Sequence, residues 1–200
     1  QIDASRFQSN TTGSEGGAVR VSTAIITDTD FLDNRAGLGD YDGGGALYAT
    51  GNLTVTGGHF ERNSANKGGA VYGEMTSAFT SVEFISNTAT SSAGAININI
   101  NGTGAVHAST FTGNSAPEGG ALYVSGVATI TASSLLSNTA SVVGGAIEIN
   151  TSGRAVISDT AIAYNRAVQD GGGVYAGGLV TFDGGSLRDN RCTGSCSISN

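Results

Sequence analysis

A chain of 200 residues fits one domain or two, and 38% hydrophobic with 12% charged residues excludes a disordered polymer. A net charge of −7, with Lys67 the single lysine, supplies no basic face and excludes nucleic acid as a partner. Gly at 32 residues against one Pro excludes collagen and implies many tight turns, and no apolar run is long enough to cross a bilayer, so this chain is not expected to insert into a membrane.

In chain order, the first apolar strand position is Ile2, and its counterparts follow at Ile26, Val55, Phe79, Val106, Ile130, Ile157 and Phe182. Five residues after each stands a bulky anchor: Phe7, Phe31, Phe60, Phe84, Phe111, Leu135, Ile162 or Leu187. Three further on comes Asn: Asn10, Asn34, Asn63, Asn87, Asn114, Asn138, Asn165 and Asn190. Two beyond Asn stands Ala36, Ala65, Ala89, Ala116, Ala140 or Ala167, with Thr12 and Cys192 at the ends. A Gly-rich cluster then ends in Ala18, Ala46, Ala70, Ala95, Ala121, Ala146 or Gly173, and a β-branched residue or Leu follows.

Successive asparagines are 24 to 29 residues apart, the period of a solenoid. Residues flanking the first apolar position are small or polar, as in Thr54-Val55-Thr56 and Thr129-Ile130-Thr131, the period-two alternation of a half-buried strand. No stretch carries a helical stripe. The pattern predicts an all-β, right-handed parallel β-helix of about 7–8 coils, with about three short strands per coil. Residues 1–200 form a single β-helix domain, read as complete or as a segment of a longer solenoid.

Stacked coils place like residues above one another. The anchors form an apolar column, Ala fits a narrow corner, and Gly-Gly admits positive φ and close backbone approach. Asn34, Asn63, Asn87, Asn114, Asn138, Asn165 and Asn190 are expected to form an amide ladder satisfying backbone groups at a tight corner.

A second period lies over the first. Tyr follows the Gly cluster at Tyr48, Tyr72, Tyr123 and Tyr175, whereas Asn97 or Glu148 takes that place in longer coils. Extra residues therefore gather on one side of the solenoid, where binding is expected. If the tyrosines face outward they can stack on sugars or a partner; if partly buried they are packing.

Cys192 and Cys196 are read as a disulfide clamp in an oxidising compartment, with a free or metal-binding pair as the alternative. Sequons at Asn10, Asn52, Asn101 and Asn150 are candidate glycosylation sites. The chain opens on Gln1 with Met75 its one methionine, which implies that a leader has been removed. Neither end carries a cap, so end faces are expected to meet protein partners or further copies of the chain.

"FISN", "FTGN" and "FERN", alternating with "GGAV", "GGAL" and "GGAI", resemble the repeats of chlamydial polymorphic membrane proteins, over nearly the whole chain. The resemblance implies a surface passenger-type domain used for adhesion or as an extracellular building element.

For chemistry, Asp40 and Asp42, in the acidic stretch with Asp28, Asp30 and Asp33, are a candidate Ca²⁺ site or carboxylate pair, against ordinary turn capping. Glu15, Asp42, Glu118 and Asp170 each precede a Gly cluster, as an acidic strip or a solvated corner. His59 and His107 stand isolated in the sequence. No cofactor motif is found. These readings converge on a secreted or cell-surface, non-enzymatic β-helix acting as an adhesin or as a subunit of a surface assembly or filament, with surface glycans as candidate ligands. A polysaccharide lyase or hydrolase is the alternative, and an ice-binding protein with outward Thr ranks is another.

Overall fold

The computed structural model describes residues 1–40 and 42–194. Among them it is all-β, with strands only two to five residues long gathered into four parallel sheets. Two of the sheets have eight strands, one has seven and one has six, giving a parallel solenoid of about eight turns. Each complete coil visits the four sheets in turn, as in Leu53–Thr56, His59–Glu61, Ser64–Lys67 and Val71–Gly73. The expectation of about three strands per coil is therefore corrected to four. The strand after the ladder Asn escapes the sequence pattern because only its Ala faces inward, and the rest of "SANK" or "TATSS" is polar.

Registers place the expected columns residue on residue. In the first sheet Ile26, Val55, Phe79, Val106, Ile130 and Ile157 are paired in succession. In the second, Phe7, Phe31, Phe60, Phe84 and Phe111 stack with ring centroids 4.7–5.1 Å apart, the interstrand spacing of a sheet. Leu135, Ile162 and Leu187 continue the file. The core is thus one apolar column from Ala24 to Ile162, partly open at both ends, where Phe7 is half-buried and Phe182 and Leu187 are exposed.

Tight corners join the sheets. The residue before each ladder Asn is left-handed throughout: Ser9, Asp33, Arg62, Ser86, Gly113, Ser137, Tyr164 and Asp189 have φ of 53–67°. The Asn behind it satisfies the corner. Asn87 donates its backbone N–H and a side-chain N–H to Asn114 Oδ1, both at 3.0 Å, and its other side-chain N–H to the Phe60 carbonyl at 2.8 Å. The same pattern runs from Asn34 through Asn63, Asn114 and Asn138 to Asn165, which bonds Asn190. Asn10 donates to Asn34 and begins the ladder.

A second ladder lies outside the sequence expectations. Two residues before the anchor, Thr29, Ser109, Ser133 and Thr160 are buried at the preceding corner. Ser109 N–H donates to Ser133 Oγ at 3.1 Å, and Ser133 N–H to Thr160 Oγ1 at 3.3 Å, while the hydroxyls donate back to the carbonyls of Thr131 and Ser158. Gly58, Val82 and Gly185 interrupt the series in sequence, which hides it.

The two glycines of each cluster have separate jobs. The first is left-handed, as in Gly68, Gly119 and Gly144, with φ of 57–66°. The second stands where coils touch backbone to backbone. A Cβ at Gly45 would lie 2.0 Å from Gly69 O, and one at Gly120 would lie 2.1 Å from Gly145 O. The copy "SAGA" illustrates the difference, because Ala93 takes the left-handed place at φ 59° while Gly94 keeps the contact place.

Candidate functional site: a tyrosine-floored cleft

The fourth sheet turns one residue per strand outward, between two inward apolar ones. Its registers line these up as Arg20, Tyr48, Tyr72, Asn97, Tyr123, Glu148 and Tyr175. The tyrosines therefore face outward, yet they are not free surface. Tyr48 is buried and Tyr72, Tyr123 and Tyr175 are half-buried, because walls rise on both sides. One wall is the end of the third sheet, where Lys67, Ser92 and Glu118 are in register. The other is the corner leading into the next coil, with Asn99 and Ser125. Together these enclose a cleft of about 330 Å³ lined also by Tyr72, Ser91, Asn97 and Tyr123. Two of the longer coils place extra residues at this corner, in the turns at 99–102 and 150–153, whereas the longest coil places its own between Ala36 and Gly43, so the expected gathering on one side holds only for the first two.

Hydrogen bonds fix the floor. Tyr48 and Tyr72 stack at 5.2 Å with an interplanar angle of 4°, Arg20 lies over the Tyr48 ring, and the Tyr48 hydroxyl donates to Glu74. Asn97 donates to Ser92 Oγ at 3.0 Å, and Asn150 donates to the Tyr123 hydroxyl at 3.1 Å. Burial first, then the Glu74 carboxylate, holds the Tyr48 phenol well above its ordinary range. Burial likewise raises Tyr72 and Tyr123.

Glu148, next after Tyr123 in the outward file, is the exceptional residue of that file. It is 7% exposed, and its Oε2 has no hydrogen-bond partner. Burial first, and then the charge of Glu118, push its carboxyl up to about 7. Because the folded value lies above the ordinary 4.5, Glu148 contributes stability that is full below pH 4.5 and lost as pH rises through about 7. Holding a carboxyl that far above its ordinary value puts the loss on the order of 3 kcal/mol. Urea unfolding of wild type and Glu148→Gln at pH 5 and pH 8 measures it: the variant gains on wild type by about that amount at pH 8 and little at pH 5. An equal offset at both pH values contradicts the assignment.

The other candidates are placed elsewhere. Asp28 sits at a left-handed corner, Asp30 meets His59 Nδ1 at 2.8 Å and Arg6 at 3.7 Å, and Asp33 is held by Arg62 at 2.7 Å, which lowers its carboxyl below the usual range. His59 is thus less isolated than the sequence suggests, since its Nε2 also lies 3.3 Å from Glu83. Asp42 Oδ2 accepts the Gly39 N–H at 2.8 Å, and Asp40 is exposed in the same loop. These carboxylates are spread over different corners and do not converge. Among the described residues no group of three or more His, Cys, Asp or Glu side chains gathers to hold a metal.

Of the acidic strip, Glu15 pairs with Arg20 at 2.8 Å and Glu118 walls the cleft. Asn52 and Asn101 are exposed, whereas Asn150 already spends its amide on Tyr123. The Cys192–Cys196 pairing involves residue 196, which lies outside the described residues. On the outer face of the first sheet, Thr27, Thr56, Thr80 and Thr131 stand in one file with His107 and Ser158, beside a file mixing Thr54, Thr129 and Thr181 with Ile25, Ala78, Ala105 and Val156.

A parallel solenoid of short repeats with a ligand-sized cleft on one side defines the class of the protein. Within it, residues 108–125 match the Chlamydia polymorphic membrane protein repeat, so the chain carries a repeat of that type. This stretch holds the anchor Phe111, the ladder residue Asn114, the "GGAL" glycines and the floor residue Tyr123. No curated protein and no solved structure matches the chain. No helix among the described residues is long and apolar enough to cross a membrane.

Proposed function

We propose that the protein is a non-enzymatic, secreted or cell-surface β-solenoid that adheres to carbohydrate through the cleft on its fourth sheet. The repeat type supports a surface setting. The observation that carries the ligand class is the lining. Tyr72, one face of which stacks on Tyr48, and Tyr123 offer aromatic rings, Asn97 and Asn99 amides, and Ser91, Ser92 and Ser125 hydroxyls, in a volume of about 330 Å³. Rings stack on the apolar faces of sugars, and amides and hydroxyls exchange hydrogen bonds with sugar hydroxyls. The volume suits one or two sugar units. The scatter of Asp28, Asp30, Asp33, Asp40 and Asp42 argues against that acidic stretch as a hydrolytic or lytic centre, which needs convergent carboxylates.

Binding of the purified chain to a panel of immobilised glycans tests this. A set of glycans is retained, and Tyr123→Ala weakens retention about tenfold, the loss of one stacked ring. Thr129→Ala, on the outer face of the first sheet, leaves it unchanged. Retention that survives Tyr72→Ala/Tyr123→Ala and falls with Thr129→Ala overturns the reading.

A further inference from the structure

We propose that the Glu148 position, one coil beyond the cleft lining and between Tyr123 and Tyr175 in the outward file, is a subsite for the ammonium group of an amino sugar. The inference rests on the reading of the cleft as a carbohydrate-binding surface and specifies its ligand.

Glu148 takes the tyrosine place of its coil, in the strand Ile147–Ile149, in register with Tyr123 on one side and Tyr175 on the other. It is more than nine-tenths buried, and its Oε2 finds no donor. A buried carboxylate oxygen without a donor is a deficit that a donor-bearing ligand removes. The groups around it fix the sign of that donor. Tyr123 and Tyr175 flank it along the floor. On the neighbouring wall Val143 is in register with Glu118 one coil before and Asp170 one coil after. Glu118 bears on Glu148 through its charge. The cation of this wall, Lys67, stands two coils before Glu118. Glu118 thus adds negative charge beside the subsite, and aromatic residues stand on both sides of it along the file.

An ammonium group answers each feature. It carries three donors and no acceptor, its charge opposes that of Glu148 and Glu118, and it is attracted by tyrosine ring faces. A metal ion fits less well, because Ca²⁺ takes six to eight oxygens and no group of three or more acidic or metal-ligating side chains gathers among the described residues. The hydroxyl- and amide-lined stretch from Tyr72 to Ser125 then receives the sugar ring that carries the amine. With the Glu148 carboxyl pushed up to about 7, a bound ammonium draws off its proton near neutral pH.

Calorimetric titration of the full chain at pH 6 and low salt, where the amine is already an ammonium and Glu148 still holds its proton, with the β-1,4 disaccharide of glucosamine and its N-acetylated counterpart, tests the assignment. The amine-bearing sugar binds about tenfold tighter, and its apparent enthalpy changes with the ionisation enthalpy of the buffer because a proton is released. In Glu148→Gln the ratio of the two affinities falls to about one and the buffer dependence disappears. Equal affinities in the wild-type chain overturn the subsite while leaving the cleft reading standing. Binding of neither sugar overturns the subsite, and retention of no glycan on the panel overturns the cleft reading with it. An amine preference that persists in Glu148→Gln removes Glu148 from the role.

Discussion

Asn114→Ala destabilises the protein by about 4 kcal/mol, with no change in the cleft residues. Asn114 is fully buried, and its side chain serves three neighbours at once. Its Oδ1 accepts from the backbone and side-chain N–H groups of Asn87, both at 3.0 Å, and its Nδ2 donates to the Phe84 carbonyl and to Asn138 Oδ1, both at 3.0 Å. Truncation leaves two N–H groups of Asn87 buried without partners and takes from the Phe84 carbonyl a second donor beyond its strand pairing. Each orphaned group costs about 1–3 kcal/mol. Asn138 Oδ1 is spared, since it still accepts the backbone N–H of residue 114 at 2.9 Å. Urea unfolding followed by circular dichroism measures the loss. Because each coil touches chiefly its neighbours, unfolding is expected to begin around residues 84–138. A loss under about 1 kcal/mol contradicts the view that the ladder satisfies the corner.

Gly120→Ala has an effect at least as large, for a different reason. A Cβ there would stand 2.1 Å from Gly145 O and 2.8 Å from the backbone N and C of Thr139. None of these atoms belongs to a flexible side chain, so the coils themselves must move apart. Separation strains the ladders of the third and fourth sheets at once, and the cost exceeds the usual 1–3 kcal/mol of overpacking. Gly113→Ala is the matched comparison. Its φ of 67° is left-handed, as that of Gly120 is not, and the nearest atom to a new Cβ is Ser86 Oγ at 3.5 Å. It carries only the penalty of a left-handed L-residue, about 1 kcal/mol, as Ser137 already does at the same corner. Thermal unfolding of the two variants separates them. Equal losses would mean that the backbone contact at the second glycine costs no more than one left-handed L-residue.

These two substitutions also mark what the sequence makes legible. Asn114 and the anchor Phe111 repeat at fixed separation in every coil, so stacking follows from identity, and the registers realise it column by column. The jobs of the two glycines in a cluster are not legible from "GGA", where both admit positive φ. Only "SAGA" hints that the second is the stricter position. The hydroxyl ladder is open to reading at Thr29, Ser109, Ser133 and Thr160, but Gly58, Val82 and Gly185 break the series with residues small or apolar enough to close the same corner.

The site is legible only in part. The tyrosine positions and the two insertions at 99–102 and 150–153 are in the sequence. What is not there is the depth of the cleft, because it depends on how far Ser92 and Glu118 rise on one wall and Asn99 and Ser125 on the other. Glu148 carries the faintest signal. In "GGAIEI" it stands as one charged residue between two isoleucines, which also describes any exposed strand position. Its burial follows from neighbours that adjoin it through parallel stacking, Glu118 and Tyr123 from the coil before and Tyr175 from the coil after.

That one side of the solenoid is a working surface and the remainder scaffold is tested most directly by mapping amide chemical-shift changes on adding the glucosamine disaccharide. Changes are expected to be confined to the fourth-sheet file and its walls, centred on Tyr72, Asn97, Tyr123 and Glu148. Changes centred on the Thr27–Thr56–Thr80 face of the first sheet, with the tyrosine file silent, would contradict it.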